Sequence, residues 1–401
     1  MMPLSFIGRV KNLRLFLLFI IISLVACKFL NSPLAPSTPT SAPLTYTPTT
    51  TKTPSPSYTP TSTHTLVPTF TPTRLPTNTP KPTRTATVTP TDLPFSTSTP
   101  MTTRVYSDTA TTLIGLDTFA ESVAWSPDNK FLYVGTKDKG LEAFDVANQD
   151  VIYYSGGDGT RIKALAVSPN GKIIAAGLAN DGSVRLLDAD SGELLQTIWP
   201  AHKNWVEALA YSPDGKVLAS GGDDGKIILW DGVTGEKIKD LFEGTDWIWG
   251  LAFSPTEEIL LAGFQTEYTF RIWNTKTWEL QSTFDGDQAA DLAFSPDGTK
   301  FVTAGGGIHE ANLWDVKTGS QLFNLREAPG WVWAVAYDPK GKYVASGGIG
   351  QVVILWDVAT GKPVRELYTG PDFIQALAYS PDGTTLASVG SQIILWDMTR
   401  P

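Results

Sequence analysis

Cysteine is almost absent: the 401 residues contain one, Cys27. A lone thiol excludes an internal disulfide framework and any thiolate-built zinc site. Histidine is nearly as scarce, with His64, His202 and His309 alone, which leaves little for acid–base or metal chemistry. Acid is missing from the first 103 residues except at Asp92. That segment carries a net +7, leaving −16 on residues 104–401. An acidic folded part argues against nucleic acid, because phosphate binding needs a basic face. Neither a phosphate-loop nor a dinucleotide fingerprint occurs. The N-terminal apolar run, Leu15–Ala26, falls short of the roughly 20 residues of a spanning helix.

What is present begins with that run. Arg9, Lys11 and Arg14 precede "LFLLFIIISLVA", the charged and apolar regions of a signal peptide over residues 1–26. It ends in "LVAC", which resembles the bacterial lipobox: Leu24, Val25 and small Ala26 lead into Cys27. The resemblance implies cleavage before Cys27 and diacylglycerol on its thiol, so that the mature chain is anchored rather than spanning. An uncleaved anchor helix reaching about Leu30, or a plain secretory signal with an incidental cysteine, are the alternatives. All three export the remainder of the chain, to the cell surface or periplasm.

Residues 27–103 form the next segment. Thr and Pro make up 42 of the 73 residues from 31 to 103. Such a composition buries too little apolar area to offset chain entropy, so a disordered, extended stalk is expected. Polyproline II at about 3.1 Å per residue gives it a reach on the order of 200 Å. Lys52, Arg74, Lys81 and Arg84 suit contact with anionic envelope polymers.

Residues 104–401 are repetitive. "ALAYSPDG" is written at 208–215 and again at 376–383, and its proline marks seven copies: Pro127, Pro169, Pro213, Pro255, Pro296, Pro339 and Pro381. Their spacings are 42, 44, 42, 41, 43 and 42 residues. A second landmark keeps step: "FD" at 144–145, "LD" at 187–188, "WN" at 273–274, and "WD" at 230–231, 314–315, 356–357 and 396–397. Seven units in one phase announce a repeat architecture. In the third copy "VEALAY", "KVLASG", "KIILWD" and "EKIKDLF" read as four antiparallel strands divided by "SPDG", "DDGK" and "VTG" turns.

The "LWD" strand ends with the "SPDG" and "TG" turns resemble the WD-repeat β-propeller family over about 109–401. The resemblance implies an all-β propeller whose upper face docks partners; the seven copies make it seven-bladed, and the scarcity of His and Cys and the missing motifs lead to the expectation of no cofactor and no catalytic residues. The resemblance also implies a hydrogen-bonded His, Ser/Thr, Asp and Trp tetrad in each blade. Only the third copy supplies all four, as His202, Ser220, Asp224 and Trp230; Asp138 and Asp181 keep the acidic position earlier. The "LWD" tryptophans are expected in the core. The last copy ends three strands into its blade, so "TATTLIGL" (Thr109–Leu116) is expected to supply the fourth strand and close the ring.

A candidate binding site emerges from the register. Seven residues before each turn proline stands an apolar residue, such as Val206 or Ile248, suited to the blade interior. Alternation sends its neighbours, at eight and six, the other way. They include Phe119, Glu121, Trp205, Glu207, Trp247, Trp249, Trp331, Trp333 and Phe373, with Arg161, Lys163, Gln288, Ala290 and Gln375 completing the ring. In the resembled family this register rims the central channel. Aromatics beside carboxylates suit cations, sugars and peptide anchors; the same rings also suit packing between blades. "DGDQAAD" (285–291) reads as a turn, since no bidentate glutamate stands at calcium-loop spacing after it. The expectation is a monomeric, membrane-anchored head that binds protein, peptide or envelope glycan. A lactonase- or hydrolase-like propeller enzyme and a structural envelope component are the alternatives.

Overall fold

The computed structural model describes residues 110–399 except 117, 158, 306–309, 327–329 and 371–372. Cys27, the residues read as a signal peptide, the Thr/Pro stretch and His309 therefore lie outside the described residues. The described part is all-β: 28 strands, numbered in chain order, form seven four-stranded antiparallel sheets. The chain is a seven-bladed β-propeller.

Blade 3 shows how the sequence dictates a blade. It comprises β10 (Val206–Tyr211), β11 (Val217–Gly222), β12 (Lys226–Asp231) and β13 (Lys237–Glu243), from the centre outward. The first hairpin turns at "SPDG", where Gly215 adopts φ 70°, a left-handed conformation that a side chain disfavours. Ser212 Oγ donates to Asp214 Oδ1 at 2.7 Å and accepts the Val217 N–H at 2.9 Å, so the turn's own side chains fix it. Strands β11 and β12 are buried on both faces and read as continuous apolar runs, whereas β13 is largely exposed.

Burial is organised between blades rather than within them. Seven hydrophobic clusters each join one blade to the next. The Trp residues of the repeated strand end, Trp230, Trp273, Trp314, Trp356 and Trp396, are 2–5% exposed within them. Close approach is enforced by glycine: a Cβ on Gly221 of blade 3 would stand 2.6 Å from Ile248 Cγ2 of blade 4. The seventh cluster seals the ring, packing Ala387, Val389, Ile393 and Leu395 of the last blade on Ala120, Trp125, Leu132 and Phe144 of the first.

Closure also involves backbone. Strand β1 (Ala110–Gly115) pairs antiparallel with β28 (Gln392–Asp397), from Ala110↔Trp396 to Gly115↔Gln392. The last blade is therefore built from both ends of the propeller, and no bare third strand is left as an edge. Strand β1 starts at the face of the "SPDG" turns and ends at the opposite face, where the channel rim lies.

Candidate functional site: the rim and central channel

The innermost strands of the seven blades surround a channel of about 550 Å³. At its rim face the residues seven before each turn proline, Ala120, Ile162, Val206, Ile248, Ala289, Val332 and Ile374, are 0–2% exposed. Their neighbours turn outward. Trp205, Trp247 and Trp331, at position eight, are 38%, 43% and 46% exposed. Glu121, Lys163, Glu207, Trp249 and Trp333, at position six, line the channel with them. Phe119 and Phe373 are half-buried and stand outside the channel wall; the Phe373 ring meets Trp333 edge-on at 6.2 Å. Trp247 and Trp249 form a tilted pair at 6.1 Å.

Simple alternation does not account for the inward turn at position six. In five blades that residue is the extra one of a β-bulge: Val206 pairs with Gly222 and Ala208 with Gly221, leaving Glu207 unmatched. The bulge re-aims its side chain into the channel. Nothing in local composition marks it.

The charged half of the channel is arranged differently from the expectation of open carboxylates beside rings. Arg161 Nε and Nη2 donate to the two Glu121 carboxylate oxygens, both at 2.7 Å. The same guanidinium lies 4.6 Å from the Trp205 ring centre. Lys163 Nζ sits 5.8 Å from that ring and 3.6 Å from Glu207. Glu121 and Glu207 are thus engaged by the protein's own cations, brought by blade 2 from between them. Burial raises the Glu207 carboxyl above its ordinary value, and the adjacent Lys163 ammonium only partly opposes this. Replacing Glu121 with Gln should free Arg161 from its fork and cost about 1 kcal/mol or less, since the guanidinium side chain is 25% exposed. Chemical denaturation would measure that loss, and tryptophan fluorescence would report the change at Trp205.

Blade 5 departs from the others. Its positions eight and six are Gln288 and Ala290, neither aromatic nor charged, and its innermost strand, β18 (Asp291–Phe294), is short like β26 (Ala376–Tyr379) of blade 7. Residues 285–291 are not simply a turn: Asp291 opens β18 and lines the channel. Its Oδ1 accepts the Leu292 N–H at 2.8 Å and its Oδ2 the Val335 N–H of blade 6 at 3.0 Å. Burial raises this carboxyl to about 7, and the two N–H donors offset only part of that effect. The sequence carried a signal for it. Five residues before the turn proline the other copies have Ser122, Ala164, Ala208, Gly250, Ala334 and Ala376, all small.

The tetrad residues meet in blade 3. His202 Nδ1 lies 2.9 Å from Asp224 Oδ1, His202 Nε2 lies 2.8 Å from Ser220 Oγ, and Trp230 Nε1 donates to that hydroxyl at 2.8 Å. In blades 5, 6 and 7 the inner pair recurs, Trp314 to Thr303, Trp356 to Ser346 and Trp396 to Ser388. Among the described residues, no three His, Asp, Glu or Cys side chains are grouped to hold a metal ion.

Comparison with known proteins agrees with this geometry. The family described as "WD domain, G-beta repeat" matches residues 149–188, 192–231, 235–274, 319–357 and 361–397. Each match begins in or beside the outer strand of one blade and ends on the third strand of the next. The sequence unit is therefore offset from the blade, which is why closure needs β1. The first three strands of blade 5 lie outside the matches, as do those of blade 1. A B-type cell cycle switch protein, ccs52A, of Medicago truncatula is 28% identical over 57% of this chain and 48% of its own length. An Uncharacterized WD repeat-containing protein of Synechocystis sp. is 28% identical over 48% of this chain and 42% of its own. The chain thus spans under half the length of these curated relatives. Among solved structures, the RRP9 WD40 repeats superpose with TM-score 0.67 at 19% identity, covering 73% of this chain and 98% of that one. U3-55K gives 0.66 at 19% identity, covering 73% and 99%. By fold and by repeat, the chain carries a WD40 β-propeller.

Proposed function

We propose that the propeller is a recognition platform that docks a protein, peptide or envelope-glycan partner on its tryptophan rim. WD40 propellers are, as a type, protein-interaction scaffolds. The observation that supports this most is the division of the tryptophans. Those at the repeated strand ends are at most 5% exposed, whereas Trp205, Trp247 and Trp331 share one register and are 38–46% exposed at a channel mouth. Large aromatics gathered at one exposed site are characteristic anchors of interfaces. Lipidation of Cys27 and display outside the cytoplasm on the Thr/Pro stalk belong to the same reading, supported by the lipobox-like "LVAC" and the composition of residues 31–103.

Two experiments test it. Affinity capture from envelope fractions with the full chain should recover a partner that the Trp247→Ala, Trp331→Ala double variant fails to retain, at a melting temperature within about 2 °C of the parent. Exposed surface substitutions ordinarily change stability by only about 0.5 kcal/mol. A large fall in melting temperature would instead assign these rings to packing between blades. Separately, Cys27→Ser should abolish incorporation of a labelled fatty acid and release the protein from membranes; retention of both label and membrane would remove the anchor.

A further inference from the structure

The two halves of the channel wall have opposite chemistry. Blades 1 to 3 hold a complete set of indole, guanidinium and carboxylate: Trp205, Arg161 and Glu121, with Arg161 4.6 Å from the ring and 2.7 Å from the carboxylate. Blades 4 to 6 hold the indoles and the carboxylate. Blade 5 sets Ala290 and Asp291 between the tryptophan pair of blade 4 and that of blade 6. Among the described residues, no Lys or Arg side chain pairs with Asp291. Its two hydrogen bonds, both from backbone N–H groups, leave lone pairs on each oxygen. The charged groups across the channel, Glu121, Arg161, Lys163 and Glu207, are engaged with one another.

A carboxylate lining a channel is costly without a counter-charge, and here Trp247, Trp249, Trp331 and Trp333 line the adjoining walls; indole rings attract cations electrostatically. The net −16 of residues 104–401 adds a long-range attraction for positive charge. We propose that the channel receives one basic side chain, arginine or lysine, from a docked protein or peptide, held between the tryptophans of blades 4 and 6 with Asp291 as its counter-ion. This rests on the rim being the docking face and names the chemistry that it selects.

The test is a fluorescence titration of the purified full chain with N-acetylarginine amide, N-acetylcitrulline amide and tetramethylammonium. The arginine amide should quench tryptophan emission saturably and the neutral citrulline isostere should not. Asp291→Asn, which keeps the side chain's shape, should weaken arginine binding about tenfold, equivalent to about 1.4 kcal/mol. Binding should strengthen about tenfold from pH 6 to pH 8 as the Asp291 carboxyl ionises. Glu207, also raised by burial, faces the channel from the far wall, so any pH dependence surviving in Asp291→Asn is its own.

Equal binding of arginine and citrulline amides, or an Asp291→Asn variant that binds like the parent, would overturn the proposal. Tetramethylammonium binding without arginine binding would overturn its peptide source. If arginine amide fails to bind while partner capture still requires Trp247 and Trp331, the platform stands and the basic anchor falls. Saturable arginine binding with capture indifferent to those tryptophans gives the reverse.

Discussion

Deleting residues 1–115 should lower the melting temperature of the propeller by on the order of 10 °C, while deleting 1–103 should leave it within about 2 °C. The difference is β1. Its removal strips five register pairs from β28, Ala110↔Trp396 through Gly115↔Gln392. At roughly 1 kcal/mol net per hydrogen bond the loss is about 5 kcal/mol, and each kcal/mol is worth about 2–4 °C in a domain of this size. It also leaves β28 as a bare edge carrying Ile393 and Leu395, which form part of the ring-closing cluster with Ala120 and Phe144. Loosening at that seam is not local, because a ring opened at one interface no longer constrains the other blades. Calorimetry on the two truncations is the measurement, and a synthetic peptide of residues 109–116 should restore part of the lost stability in trans. Equal melting temperatures would mean that the seventh cluster closes the ring without a backbone pair.

How much of this fold and site is legible in the sequence depends on the kind of physics involved. The propeller is a periodic object, and the period is written in residues with local jobs. Glycines such as Gly215 take left-handed turn positions, and "LWD" residues such as Trp230 and Trp356 fill gaps between blades. The need for β1 comes from counting strands against repeats. The site is readable as a register in part: all seven residues at position six line one channel, joined from position eight by Trp205, Trp247, Gln288 and Trp331, while Phe119 and Phe373 stand outside its wall. What each side chain does there is not readable. Arg161 reaches Glu121 from the next blade, 40 positions away in sequence, and lies against Trp205, 44 positions on. Such pairing depends on the angle between adjacent sheets, which no single repeat encodes. The bulges that re-aim Glu207 and Trp249 are equally silent, since they arise from the fit of two strands. Asp291 is the instructive miss. Judged by its neighbours "DGDQAAD" it is turn-like; judged by its column, it is the one acid where six other copies keep a small residue. In a repeat protein the column carries more information than the neighbourhood.

Replacing His202 with Ala should cost roughly 3 kcal/mol, about 6–12 °C in melting temperature, and more than any rim substitution. The reason is what is left behind. Ser220 is fully buried and the Asp224 side chain is 3% exposed, so removing the ring between them withdraws a partner from both inside a site that water does not readily fill. Ser346→Ala in blade 6 is the control. It takes only the acceptor of the Trp356 indole N–H and should cost about 1–2 kcal/mol. The two variants also differ in their response to acid. Burial would raise the Asp224 carboxyl, but the hydrogen bond with His202, its nearby charge, and the Lys203 and Lys226 N–H groups outweigh it, leaving it below 3.8. A depressed carboxyl contributes stability that is present above its unfolded value and is lost as pH falls through the folded one. The part of the stability gap between parent and His202→Ala that Asp224 supplies should therefore be lost below about pH 4, whereas the gap for Ser346→Ala should not change there. Urea midpoints measured on both sides of that pH decide the matter. A gap for His202→Ala that persists undiminished at pH 3 would show that His202 acts by filling space and satisfying Ser220, with Asp224 contributing nothing to the clasp.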